Sequence, residues 1–135
     1  MTIERVFVAG AGLMGHGIAQ VHAAVGKQVT VYEPELARAE AGLARIAGNL
    51  DRAVAKGKLL LEDRDSILAR LTGTSDLEMA ADADLVIEAV SEDVEVKTRL
   101  WAALDEIAPA DAIFASNTSS IAIDRLAAAV GEVRR

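Results

Sequence analysis

The segment Gly10-Ala11-Gly12-Leu13-Met14-Gly15 follows directly on an apolar run, Ile3 to Ala9, and leads directly into a stretch with helical spacing. A strand is thus made to turn through glycines into a helix. Such a turn builds a dinucleotide pyrophosphate site, because the backbone itself approaches the phosphates with its N–H groups aimed at them. The helix dipole adds about 0.3–2 kcal/mol of attraction for the anion.

A glycine pattern of this kind recurs by chance in loops, so its surroundings decide its meaning. The strand before it has to be buried, and Val6-Phe7-Val8-Ala9 is a continuous apolar run. A helix has to start within it, and Met14, Ile18, Val21 and Val25 recur at helical spacing, with Gly26 placed to stop the helix. An acidic residue has to end the next strand about twenty residues on, and Val29-Thr30-Val31-Tyr32-Glu33 delivers Glu33. All three requirements are met.

No charged residue occurs between Val6 and Val25, as a membrane-spanning or signal helix would require. Glycines, two histidines and a glutamine nevertheless interrupt the run, and Glu4 and Arg5 lead into it without the basic region and cleavage site of a secretory signal. The expectation is a soluble, cytoplasmic chain with no membrane partner. With 135 residues and 52% hydrophobic content the sequence can build one domain with a core and is too short for two ordinary ones, so residues 1–135 are read as one domain. The absence of cysteine excludes a disulfide framework and a thiolate zinc site, and His16 and His22 point to different sides of a helix. No metal site is expected. A net charge of −7 leaves no basic field to release counterions from nucleic-acid phosphates, so nucleic acid is not an expected partner.

Beyond Glu33 the pattern alternates. Residues 35–58 form a long amphipathic helix carrying Leu36, Leu43, Ile46, Leu50 and Val54, with Gly57 near its end. A short helix over Asp63 to Leu71, a short strand over Leu71 to Thr74 and an acidic turn at Asp82-Ala83-Asp84 follow. Leu85 to Val90 reads as a buried strand, and the next helix runs through Val96, Leu100, Leu104 and Ile107 to a stop before Pro109. Ala112 to Ala115 is a fifth strand, Ser116-Asn117-Thr118-Ser119-Ser120 a polar turn, and Ile121 to Val130 a last helix. Strands alternating with helices predict an α/β fold of the Rossmann type: a doubly wound parallel sheet, helices on both faces, and ligand crevices at the carboxyl ends of the strands. The polar residues collect there.

The motifs Gly-Ala-Gly-Leu-Met-Gly-His-Gly-Ile-Ala (10–19), Val-Ile-Glu-Ala-Val-Ser-Glu (86–92), Lys97 and Ala-Ser-Asn-Thr-Ser-Ser (115–120), in this order, resemble the 3-hydroxyacyl-CoA dehydrogenases. The resemblance extends over essentially the whole chain, and its Ser-Asn-Thr-Ser-Ser block is far more specific than the glycine motif. It implies the amino-terminal NAD-binding domain of such an enzyme. The family's catalytic histidine and its glutamate partner, and the helical domain for substrate closure and dimerisation, are expected after Arg135. The parent is then expected to be a homodimer that oxidises a 3-hydroxyacyl-CoA in fatty-acid metabolism. The 135-residue chain is expected to bind cofactor without turnover and to be monomeric.

Residue by residue, the resemblance assigns Gly10, Gly12, Leu13, Met14 and Gly15 to the pyrophosphate of NAD and Glu33 to the adenine-ribose hydroxyls. A carboxylate at position 33 repels a 2′-phosphate, which favours NAD over NADP, and Glu33 is one methylene longer than the more usual aspartate. Read without the family, Glu33 would be a cap of the following helix. Glu92 and Lys97 match positions near the nicotinamide, although charges at a helix start are ordinarily a solvated pair. Ser119 matches a serine that the family places near the nicotinamide and the substrate's 3-oxygen, where a hydroxyl assists the oxygen as its charge changes. Asn117 belongs to the same turn. Lys56 and Lys58 flank Gly57 as a basic point in an acidic chain. By resemblance Lys56 contacts coenzyme A, and Asn49, two turns earlier on the same face, aligns with a polar contact to it. His16 reads as a helix residue beside the cofactor and not as the base.

Two other classes share parts of this pattern. A dehydrogenase of the 3-hydroxyisobutyrate type also opens with such a glycine loop, but Ser116 to Ser120 argues against it. A non-catalytic nucleotide-sensing module would need no base at all.

Overall fold

Four residues of the first strand, Val6, Phe7, Val8 and Ala9, are each no more than 2% exposed, as expected of a strand with neighbours on both edges and helices on both faces. In the computed structural model, which describes residues 2–118 and 123–131, this strand is the middle of a five-stranded parallel sheet. The elements are β1 (Arg5–Ala9), α1 (Leu13–Ala24), β2 (Gln28–Tyr32), α2 (Leu36–Ala55), α3 (Leu61–Ala69) and β3 (Leu71–Thr74). A 3₁₀ turn (Leu77–Asp82) then leads to β4 (Leu85–Glu88), α4 (Val94–Ile107), β5 (Ile113–Ser116) and α5 (Ile123–Ala127). The strand order is β3-β2-β1-β4-β5, with β1 paired to β2 from Arg5 opposite Gln28 and to β4 from Val6 opposite Leu85. The order reverses between β1 and β4, which opens a crevice at their carboxyl ends.

Alternation along β1 divides the core in two. Val6 and Val8 pack with Ala19, Ala23, Val29, Val31, Ile46 and Leu50 beneath α1 and α2. Phe7 and Ala9 pack on the other face with Val86, Trp101, Leu104 and Ala108 beneath α4. Burying a side chain such as Phe7 stabilises the fold by about 1.5–3 kcal/mol.

The predicted elements form with shifted bounds: β4 ends at Glu88 and not at Val90, and of the last helix Ile123–Ala127 is helical, its expected start at Ile121 lying outside the described residues. Three further differences concern which residues are buried and what precedes β4. Helix α1 buries Gly15, His16, Ala19 and Ala23, whereas Met14, Val21 and Val25 are 56%, 63% and 68% exposed. The apolar stripe at positions 14, 18, 21 and 25 is therefore not the buried face; small residues are, because they let the helix lie close on the sheet. The acidic stretch before β4 contains a 3₁₀ turn that periodicity does not reveal, capped by Asp76, whose Oδ1 accepts the Glu78 N–H at 3.0 Å. Helix α4 buries Lys97, Trp101 and Leu104, while Val96 is 44% exposed. At the opposite end of the sheet Asp84 Oδ2 accepts the N–H groups of Glu4 and Arg5 at 2.9 and 3.0 Å and joins the starts of β1 and β4. These two backbone donors hold the Asp84 carboxyl below the usual carboxylate range.

Candidate functional site

At the β1–α1 turn each glycine answers a different requirement. Gly10 has φ +114°, and a Cβ there would lie 2.5 Å from the Ala89 carbonyl oxygen. At Gly15 a Cβ would lie 1.9 Å from the carbonyl oxygen of Gly10. The fold itself therefore requires both. Gly12 is different: its φ of −72° is ordinary, and nothing lies within 4 Å of a Cβ built on it. No packing requirement keeps position 12 small, and its open cradle has room for a close-lying phosphate. Gly12 is also the N-cap of α1 and provides no side-chain cap, so among the described residues the N–H groups of Leu13, Met14 and Gly15 have no acceptor.

Glu33 stands just past β2 and its Oε2 accepts the Ala11 N–H at 2.7 Å, so the carboxylate braces the glycine turn. It does not cap α2, whose N-cap is Glu35. Beside Glu33 a cavity of about 310 Å³ opens between the ends of β1 and β2 and helix α4. Its walls include Tyr32, Pro34, Leu77, Val90 and Leu100, a largely apolar slot suited to a flat aromatic base.

Across the crevice the side chains at the ends of β4 and β5 are joined by charge. Glu88 and Lys97 are both fully buried, and Lys97 Nζ lies 2.5 Å from Glu88 Oε2. The same ammonium reaches Glu92 Oε1 at 3.2 Å. The Ser116 hydroxyl donates to Glu88 Oε1 at 2.5 Å, the Val90 N–H donates to Glu88 Oε2 at 2.8 Å, and the Thr118 hydroxyl donates to Glu92 Oε2 at 2.7 Å. Asn117 contributes its backbone, whose N–H donates to the Glu88 carbonyl at 2.8 Å. Glu92 and Lys97 are thus no solvated pair. Sequence reasoning placed Glu88 at the end of its strand without giving it a role, although an acid inside the apolar run Leu85 to Val90 was a signal, since a buried carboxylate needs a buried partner.

The structure brings together Gly10, Gly12, Leu13, Met14, Gly15 and Glu33 at one part of the crevice, and Glu92, Lys97 and Asn117 at the other. Ser119 lies outside the described residues. Asn49 is engaged within the fold: its Nδ2 donates to Gln20 Oε1 at 3.0 Å, linking α2 to α1, and its Oδ1 accepts from the Arg52 guanidinium. Lys56 is exposed at the C-cap of α2. His16 is 9% exposed, with Nδ1 against the Gly12 carbonyl at 2.8 Å, as a residue supporting the turn. Among the described residues no three His, Asp or Glu side chains converge to hold a metal ion, and no helix is long and apolar enough to cross a membrane.

Residues 5–135 match the family described as "3-hydroxyacyl-CoA dehydrogenase, NAD binding domain". The chain belongs to this family. The cofactor of the 3-hydroxyacyl-CoA dehydrogenase NAD-binding domain is NAD, and the open cradle at Gly12 together with the carboxylate of Glu33 fits it. The 3-hydroxybutyryl-CoA dehydrogenase of Mycobacterium tuberculosis is 50% identical over 134 residues, which are 98% of this chain and 47% of the relative. The crystal structure of M. tuberculosis FadB2 superposes with a TM-score of 0.95 at 49% identity, covering 98% of this chain and 47% of that one. That of (S)-3-hydroxybutyryl-CoA dehydrogenase PaaH1 from Ralstonia eutropha gives 0.94 at 39% identity, with the same coverage. The chain therefore spans about half the length of these relatives.

Proposed function

We propose that residues 1–135 are the cofactor-binding domain of an L-3-hydroxyacyl-CoA dehydrogenase of fatty-acid metabolism, which converts a 3-hydroxyacyl-CoA to the 3-oxoacyl-CoA. NAD supplies the chemistry by accepting a hydride. The residues of this chain bind and orient it. The observation that carries the reading is Gly12, a glycine at a position where only a ligand needs one. Backbone N–H groups of Leu13, Met14 and Gly15 receive the pyrophosphate, the free oxygen of Glu33 receives the ribose hydroxyls, and the apolar slot beside it receives the adenine. The remaining half of the dinucleotide then extends toward Glu92, Lys97 and Asn117.

Ser119 is assigned to the substrate's 3-oxygen, as a hydrogen-bond donor that assists proton transfer. Asn49 and Lys56 are assigned to the acyl-CoA, and the bonds of Asn49 to Gln20 and Arg52 favour a role in presenting Arg52 to an anionic group there. The residues of this chain are assigned to binding and orienting the cofactor, and the base that takes the hydroxyl proton is not assigned among them. A cytoplasmic location and a homodimeric parent complete the reading.

The test is calorimetric titration of the 135-residue chain with NADH and NADPH. NADH is expected to bind at least about tenfold more tightly, because a 2′-phosphate would meet the Glu33 carboxylate, and Glu33→Ala is expected to relax the preference. Equal affinities in the wild type would contradict the role given to Glu33. Failure of a folded chain to bind either would contradict the reading as a whole.

A further inference from the structure

Helix α2 lies directly on the glycine turn. A Cβ built on Gly42 would come within 2.7 Å of the Ala11 Cβ and 2.9 Å of the Ala11 carbonyl oxygen, so this face of α2 is fixed against the turn. Arg38 and Arg45 stand four residues before and three residues after Gly42, on the same face. Together with Gly12, Glu33 and Gly42 they line a cavity of about 230 Å³. The cradle at Gly12 thus has arginine side chains beside it as well as backbone donors.

Arginines recur along α2 at positions 38, 45 and 52, and they differ in what holds them. Arg38 pairs with Glu35, Nε to Oε2 at 3.7 Å, and the Arg52 guanidinium donates to Asn49 Oδ1. Arg45 makes no hydrogen bond or ion pair among the described residues, although Glu33 lines the same cavity. Acidic partners are not scarce in a chain with 21 acidic and 14 basic residues. A guanidinium keeps its charge at any ordinary pH, and its fork of donors matches the oxygens of a phosphate. We propose that Arg45 is a further cofactor-binding residue, whose guanidinium donates to the pyrophosphate of NAD from the α2 side while the N–H groups of Leu13, Met14 and Gly15 donate from α1. This rests on the NAD-binding reading above. The two sources of donors differ in kind: the backbone groups are neutral, whereas Arg45 adds a full charge at an exposed position, so its share of the affinity is screened by salt. Arg45 also borders the larger cavity of His16, Asn49 and Arg52. A guanidinium that served only an anion there would leave the affinity for NADH unaltered when it is replaced.

The experiment measures the dissociation constant of NADH for the 135-residue chain and for Arg45→Gln at about 20 mM and about 500 mM salt, on either side of the range in which exposed charges are screened. At the lower concentration Arg45→Gln is expected to bind NADH about fivefold more weakly, the size of one exposed charge-assisted contact. At the higher one the two chains are expected to agree within about twofold, because screening removes the advantage of the wild type. Melting temperatures are expected to agree as well, since Arg45 is exposed and bonded to no described residue. Equal affinities at the lower salt concentration overturn the proposal. A loss of the same size at both concentrations also overturns it, because a defect of packing is not screened. If the wild type binds no NADH at either concentration, it is the NAD-binding reading that fails.

Discussion

Helices α1 and α4 both start at the carboxyl edge of the sheet, and they begin in opposite ways. At α4 the first turn is closed by a side chain: Asp93 Oδ1 accepts the N–H groups of Glu95 and Val96 at 2.9 and 3.2 Å. At α1 the N-cap is Gly12, and the first N–H groups are left open. The region around α1 is built from backbone, with glycines where a Cβ would collide at positions 10 and 15 and one facing open space at position 12. The region around α4 is built from side chains, with a buried ammonium between two carboxylates. At α1 the fold leaves backbone donors unused, which suits an anion, whereas at α4 the charges are fixed in advance by one another. The same edge of one sheet is therefore built in two ways.

If the two regions are held by these different means, they break differently. The largest effect is expected at Lys97→Met, which leaves Glu88 buried without a counter-charge and costs about 3–5 kcal/mol of stability. Urea unfolding of the variant measures it, and a loss below about 1 kcal/mol would show that water reaches the pair. Gly15→Ala places a methyl against the Gly10 carbonyl and is expected to cost about 1–3 kcal/mol while also abolishing NADH binding, since the turn must move to admit it.

These two expectations also mark what the sequence made legible. The apolar runs, the glycine punctuation and Glu33 sufficed for the strands, the helices and the glycine turn that Glu33 braces, because each signal is local and depends on the backbone. The α4 side is not local. Its helix reads as a face of Val96, Leu100, Leu104 and Ile107, and only the approach of Glu88 from β4 explains why Lys97 is buried with Trp101 and Leu104. Periodicity records where apolar residues fall and has no means of recording that a charge is neutralised by a partner on another element. For the same reason the exposed stripe of α1 misled, since hydropathy counts Met14 and Val21 more heavily than the small residues Gly15, Ala19 and Ala23 that meet the sheet.

A smaller effect separates this edge from the opposite one. The Asp84 carboxylate, held by the Glu4 and Arg5 N–H groups, has a lowered pKa in the folded chain. Its contribution is present above the unfolded carboxylate value and is lost as the pH falls through the folded one. Asp84→Asn keeps an acceptor but removes the titration, and is expected to narrow slightly the difference in melting temperature between about pH 7 and about pH 3. Cofactor affinity is expected not to change, because Asp84 lies at the far end of the strands.

The most direct test is Gly12→Val, followed by thermal unfolding and by calorimetric titration with NADH. Since nothing lies within 4 Å of a Cβ at this position and its backbone is ordinary, the melting temperature is expected to stay near that of the wild type. NADH affinity is expected to fall at least about tenfold, as the side chain fills the cradle above the α1 donors. A variant that melts like the wild type and still binds NADH as tightly would contradict the assignment of this turn to the cofactor.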